Sequence, residues 1–234
     1  SDELLHRLFH KKTGHFLANT ADINQMISAL DFMFAYTDKR KTLAPKFIIN
    51  HFPILHNRYC KSLHGPGAGL STITFKEFIR LESLLERIDT DTVSENLFYA
   101  VLYRPRDKTV KPSSRDFNGD FRIPFNDHQL HKLSTHTAKL HRWQKTYIRL
   151  FYQGCRDFLS RKFDKAFAAT DKVDDTPKTT FEKLNDLVVQ LANKDLTKIS
   201  TIRDSMLYDV LSQLNHIVIE GRKARELSHK KPIY

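Results

Sequence analysis

Twelve histidines stand in this chain of 234 residues, and imidazole is the first chemistry to test. His6 and His10 are four apart, a spacing that can bring two imidazoles to one metal ion from a single helical face. His128 and His131, with Asp127, form a second loose cluster. Neither group has a third and fourth ligand at matching spacing, and exposed helical positions account for both. Asp116-Phe117-Asn118-Gly119-Asp120 reads like the opening of a calcium loop, with carboxylates and an amide in alternate places. Its glycine comes two places early, and Asp127 stands where such a loop ends in a bidentate glutamate. A turn at Asn118-Gly119 explains the same residues with less. The expectation is no metal and no cofactor.

Nucleophilic catalysis needs a cysteine or serine backed by a base and a carboxylate. Cys155 follows Gly154 and precedes Arg156, a neighbour able to lower a thiol pKa. It also falls on the apolar side of its helix, which favours a buried structural cysteine. The sequence has no nucleophile elbow, zinc-protease motif or dinucleotide fingerprint. The run Gly65-Pro66-Gly67-Ala68-Gly69 lacks the Gly-Lys-Ser/Thr ending of a phosphate loop, and no apolar strand precedes it. It reads as a flexible linker. No catalytic residue is assigned, and the chain is expected not to be an enzyme.

Charge offers the better candidate. The net charge is +11, of which residues 1–70 carry +4, residues 71–170 carry +6 and residues 171–234 carry +1. Lys132, His136, Lys139, Arg142, Arg149 and Arg156 fall largely on one side of a helical wheel, opposite Leu133, Leu140, Tyr147, Phe151, Cys155 and Phe158. Trp143 and Tyr152 lie near the edges of this basic stripe. Such a face suits nucleic acid, with aromatic rings stacking on bases, or the surface of a partner protein.

The elements that must position these residues are mainly helical. Residues 1–64 read as a broken helical segment, with Asp22 as an N-cap and Pro53 interrupting the apolar run from Phe47 to Leu55. Thr74-Phe75-Lys76-Glu77 has capping-box spacing and opens a helix through Ile88. Thr92 or Ser94 caps a second, ending near Arg104-Pro105. Asn118-Gly119 predicts a β-hairpin within 110–125. Asn126 or Asp127 opens a long helix to about Phe167, weakened at Gly154. Residues 178–228 read as a helical pair, capped at Thr180 and Asp195. The fold class is therefore mainly α: a multi-helix bundle with a small β-hairpin insertion and a C-terminal αα-hairpin. Its organisation is an N-terminal segment 1–64, a central core 71–170 and the pair 178–228.

Length allows one full hydrophobic core. The absence of any long apolar run excludes a helical membrane span, and two cysteines favour an intracellular setting. Three stretches carry a resemblance. They are Ile73 to Phe78 followed by Ala100 to Pro105, then Leu150 to Cys155, then Leu191 to Lys198 followed by Tyr208 to Leu211. Across about residues 70–228 the chain resembles tail-assembly-chaperone-like proteins of tailed phages infecting Bacteroidetes-type hosts. That resemblance implies a non-enzymatic morphogenesis protein in the cytoplasm of the infected host, holding a tape-measure-like protein while the tail assembles. It also admits a structural component retained in the virion. The alternative from another class is a basic helical protein that binds nucleic acid.

Overall fold

The computed structural model describes residues 34–37, 40–43, 47–57, 59, 61–115, 117–170, 179–193 and 195–229. The expectations for Asp22, His6, His10 and Asp116 lie outside these residues. The chain divides into two units, Ser1–Ala44 and Pro45–Tyr234. Of the first, an antiparallel pair is described: β1 (Phe34–Thr37) and β2 (Arg40–Leu43), with Thr37 opposite Arg40.

In the second unit, helix α1 (Phe75–Leu85) begins as its sequence dictates. The Thr74 hydroxyl accepts from the Glu77 N–H at 3.3 Å, and the Glu77 carboxylate accepts from the Thr74 N–H at 2.7 Å. Helix α2 (Thr92–Leu102) is capped by Asp91, one residue before the expected caps. The Asp91 carboxylate accepts from Val93 and Ser94 N–H at 2.9 and 3.0 Å. Every residue from Leu97 to Tyr103 is buried, so the second half of α2 is apolar on all sides and forms the centre of the core. Helix α3 (Asp127–Thr137), capped by Asn126, packs on it. Helix α4 (Arg142–Lys162) buries Tyr147, Ile148, Phe151, Tyr152, Cys155 and Leu159, at spacings of one, three and four that make a single apolar stripe. Helices α5 (Asp164–Thr170), α6 (Thr180–Leu191), α7 (Leu196–Asp204) and α8 (Leu207–His229) follow. Helix α1 packs against α2, α6 and α7, and α5 packs against α8. The described residues are thus mainly helical with small antiparallel strand pairs, as expected.

Four expectations are corrected in detail. The long helix from 126 to 167 is three helices, interrupted at Ala138–His141 and again at Phe163, while α4 runs through Gly154 without a break. The final helix is also divided. Ser205 is extended because Phe75 N–H donates to its carbonyl at 2.9 Å and Leu207 N–H donates to Ile73 at 3.0 Å. Tertiary pairing there overrides helix propensity. The segment 1–64, expected to be helical, has no helix among its described residues: 34–37, 40–43, 54–56 and 62–64 are strands, and 47–53 are irregular for reasons given below. The segment 106–125 is an irregular loop closed by one antiparallel bridge between Arg106 and Arg122, not a hairpin. Gly119 takes a positive φ of 87° but Asn118 does not, so the two-residue turn that needs both cannot form. Asn118 instead accepts the Asp120 N–H at 2.9 Å.

That loop is held by buried charge. Arg104, Arg122 and Glu77 are each almost fully enclosed. Glu77 Oε1 receives Arg104 Nη1 and lies 3.6 Å from Arg122 Nη2, while Asp120 Oδ2 accepts from Arg122 Nη2 at 2.8 Å. The guanidinium groups also donate to the carbonyls of Val101, Leu102, Thr72 and Ile123 at 2.6, 3.0, 3.1 and 2.9 Å. Removing one member of a buried charge set strands the others. Glu77→Ala is therefore expected to cost about 3–5 kcal/mol in urea denaturation. Thr74→Ala, which removes only the cap, is expected to cost about 1 kcal/mol. Equal losses would show that Glu77 acts merely as a capping residue.

Candidate interaction surface

The described residues of 47–64 (47–57, 59 and 61–64) form a strap across the ends of α3 and α4. The apolar run there stays extended because Pro53 disfavours helical geometry at Phe52 and has no N–H of its own. Side chains supply its bonds instead. The Tyr147 hydroxyl accepts His51 N–H at 2.8 Å and Phe52 N–H at 3.3 Å, and donates to Asn50 Oδ1 at 3.0 Å. The Tyr103 hydroxyl donates to the same Asn50 oxygen and to the Phe52 carbonyl, both at 3.0 Å. Strands β3 (Ile54–His56) and β4 (Ser62–His64) then pair, with Leu55 opposite Leu63 and both buried. Gln144 Nε2 donates to the His56 carbonyl at 3.0 Å, and Asn57 Nδ2 donates to His136 at 3.3 Å.

The glycine run after the strap is packed, not a loose linker. Pro66 is buried, and Asn50 Nδ2 donates to its carbonyl at 2.9 Å. A Cβ at Gly65 would lie 2.6 Å from the Tyr103 ring. Gly69 and Leu70 both take positive φ, and the Tyr208 hydroxyl donates to the Gly69 carbonyl at 2.8 Å.

The outer side of the strap is apolar and aromatic. Among the described residues ten large apolar side chains are exposed, and five of them, Ile49, Phe52, Ile54, Tyr59 and Trp143, belong to the strap or to the first turn of α4 beneath it. The Phe52 ring meets Trp143 edge-on at 5.5 Å and Tyr147 at 4.7 Å. The Tyr59 ring carries Lys139 Nζ over its face at 4.4 Å.

The six stripe residues do not form one continuous free face. Lys132 and His136 lie on α3, Lys139 in the turn after it, and Arg142, Arg149 and Arg156 on α4. Lys132, Lys139 and Arg142 are exposed, next to Tyr59, Lys61 and Trp143 in the strap region. Arg149 is tied to Asp89 at 2.6 Å. Arg156 Nε donates to both oxygens of the buried Glu82 at 3.0 Å, and the Tyr152 hydroxyl donates to Glu82 at 2.7 Å. Burial pushes the Glu82 carboxyl above its usual range, against the pull of Arg156 and Tyr152. Tyr152 itself is wholly buried and stacks edge-on with Phe98. Sequence reasoning marked Trp143 but missed Phe52, Tyr59 and Lys61, which reach the same surface from about 80 residues away. Burial alternates along β3, with Leu55 inside and Ile54 and His56 outside, but Ile54-Leu55-His56 does not alternate in polarity, so the sequence carries no local signal for this strand.

The other chemistry-bearing groups resolve individually. Cys155 is buried with its thiol pushed up to about 12 by burial, which makes it a poor nucleophile. His128 and His131 are exposed on α3. Among the described residues no three histidine, cysteine or carboxylate side chains converge on a common point. Asp120, the last residue of the calcium-like run, is committed to Arg122. No described helix is long and apolar enough to cross a membrane. No family model, no curated protein and no solved structure matches the chain.

His136 reports on the cationic end of this surface. Its imidazole is held below the usual 6.5, first by burial and then by Lys61, Lys139 and Lys132. The fold favours the neutral ring, so its contribution to stability is full above about pH 6.5 and is lost as pH falls through the lowered folded value. An NMR titration should place its midpoint below 6.5. Lys61→Gln with Lys139→Gln should move that midpoint upward, and an unmoved midpoint would mean that these lysines do not face the ring.

Proposed function

We propose that this chain is a non-catalytic binding protein that grips an acidic, amphipathic segment of another protein along the strap. The observation that carries this reading is the concentration of exposed rings and aliphatic side chains at Ile49, Phe52, Ile54, Tyr59 and Trp143. Aromatic anchors beside a polar margin are the usual source of binding energy at protein interfaces. Lys61, Lys132, Lys139 and Arg142 supply the positive margin, and charge complementarity selects a partner rich in Asp and Glu. The resemblance to tail-assembly-chaperone-like proteins supplies the setting: a tape-measure-like protein of the same phage as the partner, held while the tail is built in the host cytoplasm.

Nucleic acid is the less favoured occupant. With Arg149 and Arg156 engaged by Asp89 and Glu82, the stripe offers a short cluster instead of the long track that a phosphate backbone follows.

Co-expression with the tape-measure-like protein should yield a co-purifying complex. Phe52→Ala with Trp143→Ala should weaken it at least about tenfold, the scale of an interface hot spot. Charge reversal at Lys139 and Arg142 should slow association and flatten its salt dependence. Retained affinity in the aromatic variant would place the interface elsewhere. Tight binding of an oligonucleotide that the same charge reversals abolish would favour the nucleic-acid reading. Stoichiometric recovery of the chain in purified particles would make it a virion component.

A further inference from the structure

A cavity of about 350 Å³ opens between α1, α6 and α7, at the start of α3. It is independent of the strap. Lys76 and Arg80 enter it from α1, one turn apart, and Arg203 enters from α7. Asp127, the first residue of α3, is the one carboxylate in the lining among the described residues. Three cations therefore meet one anion.

The anion does not satisfy them. Asp127 lies 3.7 Å from Lys76 Nζ and 3.7 Å from Arg80 Nε, beyond hydrogen-bond distance from either. Arg80 Nε is enclosed, and among the described residues it is the one buried side-chain nitrogen or oxygen with no hydrogen-bond partner. A buried donor on a charged group left unpaired costs stability and marks a place where an acceptor fits. Arg203 is held in position by Asn185, whose Oδ1 accepts from Nη2 at 2.9 Å. Asp127 and Phe181, which line the cavity, stand in the first turns of α3 and α6. Glu182 in α6 is turned back on the Thr179 N–H at 2.9 Å.

One wall is apolar. Ile79 is buried there, while Phe181 is 40% exposed. The volume falls at the lower end of the range for small-molecule sites and exceeds what a bare oxyanion needs.

We propose that this cavity binds a small organic phosphate. The phosphate sits among Lys76, Arg80 and Arg203, and the organic portion lies against Ile79 and Phe181. Arg80 Nε gains its missing acceptor, and Asp127 is the competing anion that the phosphate displaces.

Calorimetry on the full chain at low salt, with adenosine monophosphate and inorganic phosphate as probes, tests this. Both should bind, the nucleotide more tightly. Arg80→Gln and Arg203→Gln should each weaken both by about tenfold or more, the scale of a lost buried charge contact. Phe181→Ala should weaken the nucleotide alone, and this variant carries the test if an arginine variant fails to fold. Asp127→Asn should tighten both probes, an outcome that a purely structural ion cluster would not give. No heat from either probe, or affinities unmoved by the arginine variants, would overturn the proposal. So would looser binding in Asp127→Asn. A single-stranded oligonucleotide that binds where the mononucleotide does not would also overturn it, in favour of a nucleic-acid backbone as the phosphate source.

Discussion

Glu77 occupies a position where three structural demands meet. As the fourth residue of a capping box it closes the start of α1, with one oxygen on the Thr74 N–H. Its other oxygen faces two guanidinium groups in an interior that excludes water. Those guanidinium groups in turn cover carbonyls at the end of α2, where Val101 and Leu102 have no partner one turn further on. Positive charge at that end also interacts favourably with the negative end of the helix dipole. One carboxylate thus sets the start of α1, the end of α2 and the path of the loop that carries Arg122. Two buried arginines would be costly alone. With Glu77 and Asp120 opposite them, and carbonyls taking most remaining donors, the set is neutral and nearly saturated.

The strap depends on that arrangement. His64, the last residue of β4, forms an antiparallel bridge with Arg104, through His64 N–H to the Arg104 carbonyl at 2.7 Å and Arg104 N–H to the His64 carbonyl at 3.0 Å. The residue whose side chain joins Glu77 therefore presents its backbone to the strap. The outer aromatic surface is positioned from the interior outward, by Arg104 on one side and by Tyr103 and Tyr147 on the other.

Local chemistry was legible in the sequence wherever it is local. The Thr74–Glu77 box, the Asn126 and Asp195 caps and the apolar stripe of α4 follow from spacings of two to four residues. What was not legible depends on distant partners. The Arg104–Glu77 pair spans 27 residues and Arg122 to Thr72 spans 50. Ser205 leaves the helix because residues 73–75 pair with it, a constraint that no pattern near Ser205 encodes. The basic stripe was drawn on one continuous helix. The break at Ala138–His141 leaves Lys132 and His136 on one helix, Lys139 in the turn and Arg142, Arg149 and Arg156 on the next helix, and Asp89 and Glu82, from another part of the chain, engage Arg149 and Arg156. The site was therefore half visible: its cations and Trp143 from periodicity, but not the strap that lies beside them.

The strap's fastening has a dynamic consequence. Between Asn50 and Pro53 its bonds run to two tyrosine hydroxyls and one asparagine amide, where a sheet would have a ladder. Bonds of this kind open singly, and amides held by them exchange with solvent at free energies well below that of global unfolding. The amides in the buried second half of α2 set the opposite limit. The exposed Phe52 ring is therefore carried on backbone that opens locally, so a ligand seated on it would slow amide exchange at His51 and Phe52.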